Sequence, residues 1–115
     1  MKKGESVFVI ESGNLARNKS SEALKRGTAI IEKAGNKYFH VKFYPYGKDS
    51  YCVDISFCQD SMKQKSNYTA DYECYLSETD YNNSVFLKRA KIHIREYAQA
   101  LTYEQASKIM EILHA

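Results

Sequence analysis

The chain has 115 residues, 43% hydrophobic and 13% aromatic, enough for one domain with a real core and too apolar for wholesale disorder. Its formal net charge of +3, from 17 basic and 14 acidic residues, does not single out nucleic acid as a partner. No apolar run is long enough to span a bilayer, and Met1-Lys2-Lys3-Gly4-Glu5 lacks the apolar region of a signal peptide. A cytosolic protein that does not engage a membrane is therefore expected, and its three cysteines are expected to be reduced thiols rather than a disulfide framework.

In chain order, Val7-Phe8-Val9-Ile10 is a short apolar run typical of a first strand. Residues 12–26 break that pattern with Ser12-Gly13-Asn14 and a polar, basic stretch, within which Ser20–Lys25 has the makings of one helical turn. A second strand restarts at Gly27 and runs through Thr28-Ala29-Ile30-Ile31-Glu32, ending at the turn Ala34-Gly35-Asn36. The clearest pair comes next. Lys37–Tyr44 and Tyr51–Phe57 flank a turn that holds the only proline, Pro45, followed by Gly47. Alternation assigns Phe39, Val41, Phe43, Val53, Ile55 and Phe57 to the core face. Tyr38, His40, Lys42, Cys52, Asp54 and Ser56 fall on the wetter one. After the polar segment 59–67, Tyr68–Tyr75 is predicted as a fifth strand.

At Leu76–Ser77 the rhythm changes from period two to period 3.6, and apolar residues recur at Phe86, Ala90, Ile94, Tyr97 and Leu101. Ser77-Glu78-Thr79-Asp80 has the residues of a helix start, with Asp80 in place of the usual Glu of a capping box. Lys88, Lys91 and Arg95 lie on the opposite face of the predicted helix. Thr102-Tyr103-Glu104-Gln105 is a second, cleaner capping box, and Ala106, Ile109, Met110 and Leu113 are expected to be its buried stripe. The fold class is therefore α+β: a small curved antiparallel sheet or barrel of about five strands, followed by two C-terminal helices that pack on it. The expected organisation is one domain, 1–115, with a β-module at 1–76 and a helical tail at 77–115. Residues 1–58 carry ten Lys/Arg and six Asp/Glu, a net +4, and residues 59–115 seven and eight, a net −1.

The stretch Lys3–Ile10, the basic loop, Arg26-Gly27-Thr28-Ala29-Ile30-Ile31 and the following strand resemble the opening of Src-homology-3-type small barrels, a shape shared by KOW-like translation and transcription modules. The resemblance covers roughly residues 3–57. The whole pattern, through Tyr75-Leu76-Ser77 into the tail ending Ile109-Met110-Glu111-Ile112-Leu113, is similar to small accessory proteins of bacteriophages and mobile elements. Some of those are anti-CRISPR inhibitors that bind a Cas nuclease. The resemblance thus implies a host protein as partner, a CRISPR effector nuclease being its most concrete form, met in the cytoplasm of the bacterial host.

The residues themselves favour a binding protein over an enzyme. Nothing forms a Gly-x-Ser-x-Gly elbow or a cysteine-enzyme signature, and the five glycines are scattered rather than gathered into a phosphate loop. Asp71/Glu73 and Glu78/Asp80 have the positions of solvated strand and helix-start charges rather than of an acid/base pair. Ten tyrosines point to surfaces that bind something, though tyrosine is also a good strand residue. Tyr44, Tyr46 and Tyr51, around the hairpin turn, are candidate anchors for a protein partner or else cover the open end of the barrel. Arg17, Lys19, Lys25 and Arg26 in the first loop, with Tyr38, Lys42 and Tyr44, offer cations for phosphates and rings for bases, the nucleic-acid alternative. The plainer account is a solvated basic loop.

Zinc is the one cofactor the residues allow, with Cys52, Cys58, Cys74 and His40 as candidate ligands, not all on one ion. Cys52 and Cys58 are six residues apart, about 20 Å along a straight strand at about 3.3 Å per residue, too far to share an ion unless the strand bends. Cys58 with Cys74, or Cys52 with His40, are the easier pairs. The bland account is half-buried strand thiols.

Overall fold

The computed structural model describes residues 1–17, 19, 23–66 and 69–115. Its elements are β1 (Ser6–Glu11), a short α1 (Gly13–Ala16), β2 (Arg26–Ala34), β3 (Tyr38–Phe43), β4 (Val53–Cys58), β5 (Tyr72–Tyr75), α2 (Glu78–Tyr97), a 3-10 turn (Ala98–Ala100) and α3 (Tyr103–Leu113). The fold is α+β, with one antiparallel sheet in the order β4-β3-β2-β1-β5, curled into a half-barrel and followed by the helices.

Curling comes from β2. Its first half, Arg26–Ile30, pairs with β1, and its second half, from Ile31 on, pairs with β3, with a register shift between Ile31 and Lys33. An extra residue in one strand bends it and increases its twist, so one long strand serves both halves of the sheet. The two edge strands then meet a common partner. Gln64 bridges to Phe57 of β4 and Lys63 to Glu73 of β5. Backbone bonds reinforce the first bridge: the Cys58 N–H donates to the Lys63 carbonyl at 2.8 Å and the Lys65 N–H to that of Ser56 at 2.8 Å. The Gln64 side-chain oxygen accepts from the Asp71 and Tyr72 N–H groups at 2.9 and 3.0 Å. Both edges thus have part of their backbone groups paired rather than open to other strands.

The concave face carries the core, where Val7, Val9, Ala29, Ile31, Phe39, Val41, Phe43, Ile55 and Phe57 are buried together with Tyr72 and Cys74. The face predicted for the β3–β4 hairpin is correct, with Val53 partly buried at its rim. Phe39 and Phe57, opposite each other in register, stack with ring centroids 5.6 Å apart. β1 is buried on its other face as well. Phe8 lies 5.3 Å from the ring of Tyr81, which in turn meets Tyr75 edge-on at 5.3 Å.

The first turn of α2 is held by this second cluster. Ser77 caps it, its hydroxyl oxygen accepting from the Asp80 N–H at 3.1 Å and donating to the Asp80 carboxylate at 3.1 Å. The shorter Asp side chain meets the capping hydroxyl, where a Glu would reach the cap backbone. The chain divides into two compact units, Met1–Asn82 and Asn83–Ala115, so the boundary falls inside α2 rather than at Leu76–Ser77. Tyr81 is the reason, being the one buried residue of the helix.

In the second unit the Thr102 capping box forms as expected, with the Gln105 N–H to Thr102 Oγ1 at 3.2 Å and the Thr102 N–H to Gln105 Oε1 at 3.0 Å. The predicted stripe needs correction. Ala106 is half-buried, but Ile109, Met110 and Leu113 are exposed, as are Phe86, Ile94 and Tyr97 on α2. Helical period shows that a face is apolar, not that the same chain covers it. The rhythm through Leu101 is also interrupted, because Ala98–Ala100 tightens to a 3-10 turn and Leu101 is extended. Elsewhere, α1 was not foreseen, and β5 begins at Tyr72. Ser20–Glu22 of the predicted helical turn and Tyr68 of the predicted strand lie outside the described residues.

Gly13 starts α1 with a φ of +55°, and a Cβ there would collide with the Ala70 carbonyl oxygen. Gly47 has a φ of +96° but open space around it. Gly13→Ala is expected to cost more than about 2 kcal/mol and Gly47→Ala about 1 kcal/mol, read from urea denaturation midpoints. Equal costs would mean that the close approach of residues 13 and 70 is not a constraint on the fold.

Candidate functional site

Glu11, the last residue of β1, organises the region where the candidate binding residues gather. Its side chain is buried, and Oε1 accepts from Lys19 Nζ at 2.8 Å and from the Lys25 backbone N–H at 2.8 Å. Burial alone would raise its pKa. The Lys19 ammonium, the Lys25 amide and the charges of both lysines outweigh that and hold the carboxyl below its ordinary value. Glu11 therefore ties the returning first loop to the end of the sheet.

From that tether Lys25 reaches across to the β3–β4 connection. Its ammonium lies 4.7 Å from the ring centroid of Tyr46, within cation–π range, and Tyr46 sits 5.7 Å from Tyr51. Tyr46 is 61% exposed and Tyr51 58%, so the pair is pinned yet remains open to solvent. In the core, Tyr72 packs edge-on against Phe43 at 5.8 Å. Burial first, then the charges of Glu11 and Tyr51, raises the Tyr72 pKa and keeps its hydroxyl neutral. Two large rings held against each other, one of them also by a cation, form a preorganised patch whose ordering cost is partly met on folding.

Several of the other predicted residues have partners of their own elsewhere. Lys19 is engaged by Glu11, and Lys42 lies 3.7 Å from Glu32. Glu32 first, then Asp54, raises the Lys42 pKa. Tyr38 and Lys42 are on the convex face of β3, where Lys65 places its ammonium 4.5 Å over the Tyr38 ring. On the same face His40 Nδ1 and Ser56 Oγ lie 2.6 Å apart across the β3–β4 pair, the ring tautomer deciding which donates. Arg26 is exposed at the start of β2, Arg17 follows α1, and Tyr44 is exposed beyond β3. Glu11 and Lys65 were missed from sequence. A lone Glu after an apolar run carries no sign of burial, and Lys65 belongs to a segment that showed no pattern.

Among the described residues no three His, Cys, Asp or Glu side chains are grouped so as to hold a metal ion. Cys74 pairs in register with Val9 and is buried in the core, while Cys58 is opposite Tyr38 and half-buried. His40 faces Ser56 in register, while Cys52 lies before the start of β4. Burial pushes the Cys74 thiol up to about 12, well above the range in which thiolates bind metals at neutral pH.

Compared with protein-family models, with curated proteins and with solved structures, the chain matches none. No helix among the described residues is long and apolar enough to cross a membrane.

Two outcomes follow from these groups. Because the folded-state pKa of Glu11 is depressed, its contribution to stability is complete above the ordinary glutamate range and is lost as pH falls through the folded value. Denaturation midpoints measured from pH 6 to pH 3 should therefore fall less in Glu11→Gln than in the parent; parallel curves would contradict this. Iodoacetamide at pH 8 should label the half-buried Cys52 and Cys58 and spare Cys74 until denaturant is added. Early labelling of Cys74 would show that its burial is not persistent.

Proposed function

We propose that this chain is a non-enzymatic binding protein of phage or mobile-element type that inhibits a host defence nuclease, docking the Tyr46–Tyr51–Lys25 patch onto a Cas effector protein in the cytoplasm of the bacterial host. The patch is the observation that carries the reading. Tyrosine is among the residues most enriched as interface anchors, and here two tyrosine rings lie against each other and stay open to solvent, one of them held by the Lys25 ammonium of the first loop. A cation beside the patch that is already paired favours a protein over a polyanion: the Lys19 ammonium faces the Glu11 carboxylate. The nuclease as target rests on the resemblance to phage accessory proteins alone.

A second reading is a KOW-like nucleic-acid-binding module. It is favoured by one observation, the convex face where Lys65 lies over Tyr38 on the same strand as Lys42. A base stacked on that ring beside the Lys65 ammonium would be bound as single-strand binders bind.

Cleavage of a target duplex by purified Cas nucleases, with and without the protein, separates the readings. Inhibition is expected, and Tyr46→Ala/Tyr51→Ala should weaken it by about 30-fold or more, the effect of losing an anchor of at least about 2 kcal/mol. Unchanged cleavage across the main effector types would sink the inhibitor reading. A mobility shift on single-stranded nucleic acid that fades steeply between about 50 and 200 mM salt would replace it with the module.

A further inference from the structure

The second unit carries more apolar surface than its own helices cover. On α2, Phe86 is 73% and Ile94 69% exposed, and Leu87 and Tyr97 share their arc of the helix. On α3, Leu113 is 70% exposed, beside Ile109 and Met110 on the face opposite Glu104 and Lys108. Seven exposed large hydrophobic side chains line these two arcs: Phe86, Leu87, Ile94 and Tyr97 on α2, and Ile109, Met110 and Leu113 on α3. At on the order of 100 Å² of apolar surface each, they amount to about 700 Å². The largest apolar patch on an ordinary monomer is about 300–600 Å². One partner's share of a standard stable interface is about 800 Å². Each chain therefore brings about what a stable dimer needs.

We propose that this tail is a homodimerisation element, in which α3 of one copy lies along the apolar arc of α2 in the other. Its two helices are differently charged. From Asn83 to Tyr97, Lys88, Arg89, Lys91 and Arg95 against Glu96 give +3. In α3, Glu104 and Glu111 against Lys108 give −1. Pairing α2 with a second α2 sets like charges against each other, with Arg89 and Lys91 flanking both arcs. Pairing α2 with the second copy's α3 does not, and a two-fold axis then makes the contact twice. Ala90, the small residue in the middle of the arc, allows close approach of the helix axes. The 3-10 turn and the extended Leu101 interrupt the helix between the two apolar faces, so the two do not form one continuous rod.

This surface is distinct from the tyrosine patch, so the two readings stand or fall separately. Sedimentation of the full chain from 1 to 100 µM should give twice the 13.3 kDa chain mass at the upper end. Ile109→Glu/Leu113→Glu should weaken the dimer by roughly a hundredfold or more, because each places a charge in the apolar seam. The thermal transition of the sheet should persist. Should that variant not fold, hydrogen exchange of the parent at low and high concentration answers the same question: α2 and α3 amides should gain protection as the dimer forms. A monomer throughout that range would overturn the proposal. So would a dimer that survives the α3 substitutions, or tail protection that appears only when a nuclease is added. Tyr46→Ala/Tyr51→Ala should leave the dimer intact.

Discussion

β1 is buried on both faces, and most of the first unit depends on that constraint. Val7 and Val9 point into the concave core, Phe8 packs in the cluster with Tyr75 and Tyr81, and Ile10, on the same face as Phe8, is buried too. A strand with no wet face needs partners on each edge and cover on each side. β2 and β5 supply the edges, the remaining strands one side, and the first turn of α2 contributes to the other. Loss of Tyr81 would therefore expose the outer side of β1, not merely loosen a helix end. The same strand ends in Glu11, so the tether of the first loop inherits its position from the best-buried element of the fold.

That inheritance explains how an irregular basic loop presents an ordered patch. Glu11 is buried and doubly bonded, Lys25 is fixed through its own amide, and its side chain then reaches Tyr46. Each step is a local contact, yet residues 11, 25, 46 and 51 come from three separate stretches of chain. A cation over a ring stays hydrated on its outer side, so the patch holds its charge at the surface rather than burying it. The Glu11 carboxylate takes up the neighbouring Lys19, which lowers the positive potential a phosphate backbone would meet.

The tail follows different physics. Its helices are fixed locally, by the Ser77 and Thr102 caps and by helical periodicity, and their apolar arcs are left exposed. Isolated helices of this length gain little from propensity alone, so most of their stability must come from whatever covers those arcs. A second copy is a partner present at the same concentration as the chain itself. A dimer would also carry two tyrosine patches, and two sites on one assembly raise the effective concentration of the second contact.

Much of the architecture was legible in the sequence. Alternation identified the inward residues of β3 and β4, the change of period at Leu76–Ser77 located the passage from sheet to helix, and Thr102–Gln105 marked the last helix start. These are periodicities and caps, which depend on residues a few positions apart. Tyr46 and Tyr51 could be named as candidates because aromatics beside a Pro/Gly turn are conspicuous. Only the tertiary structure decided that Lys25 joins them and that Lys19 and Lys42 face carboxylates. It also left the helical stripes exposed. Those outcomes depend on which distant segments the curl of β2 brings together, and on burial, which no local pattern encodes.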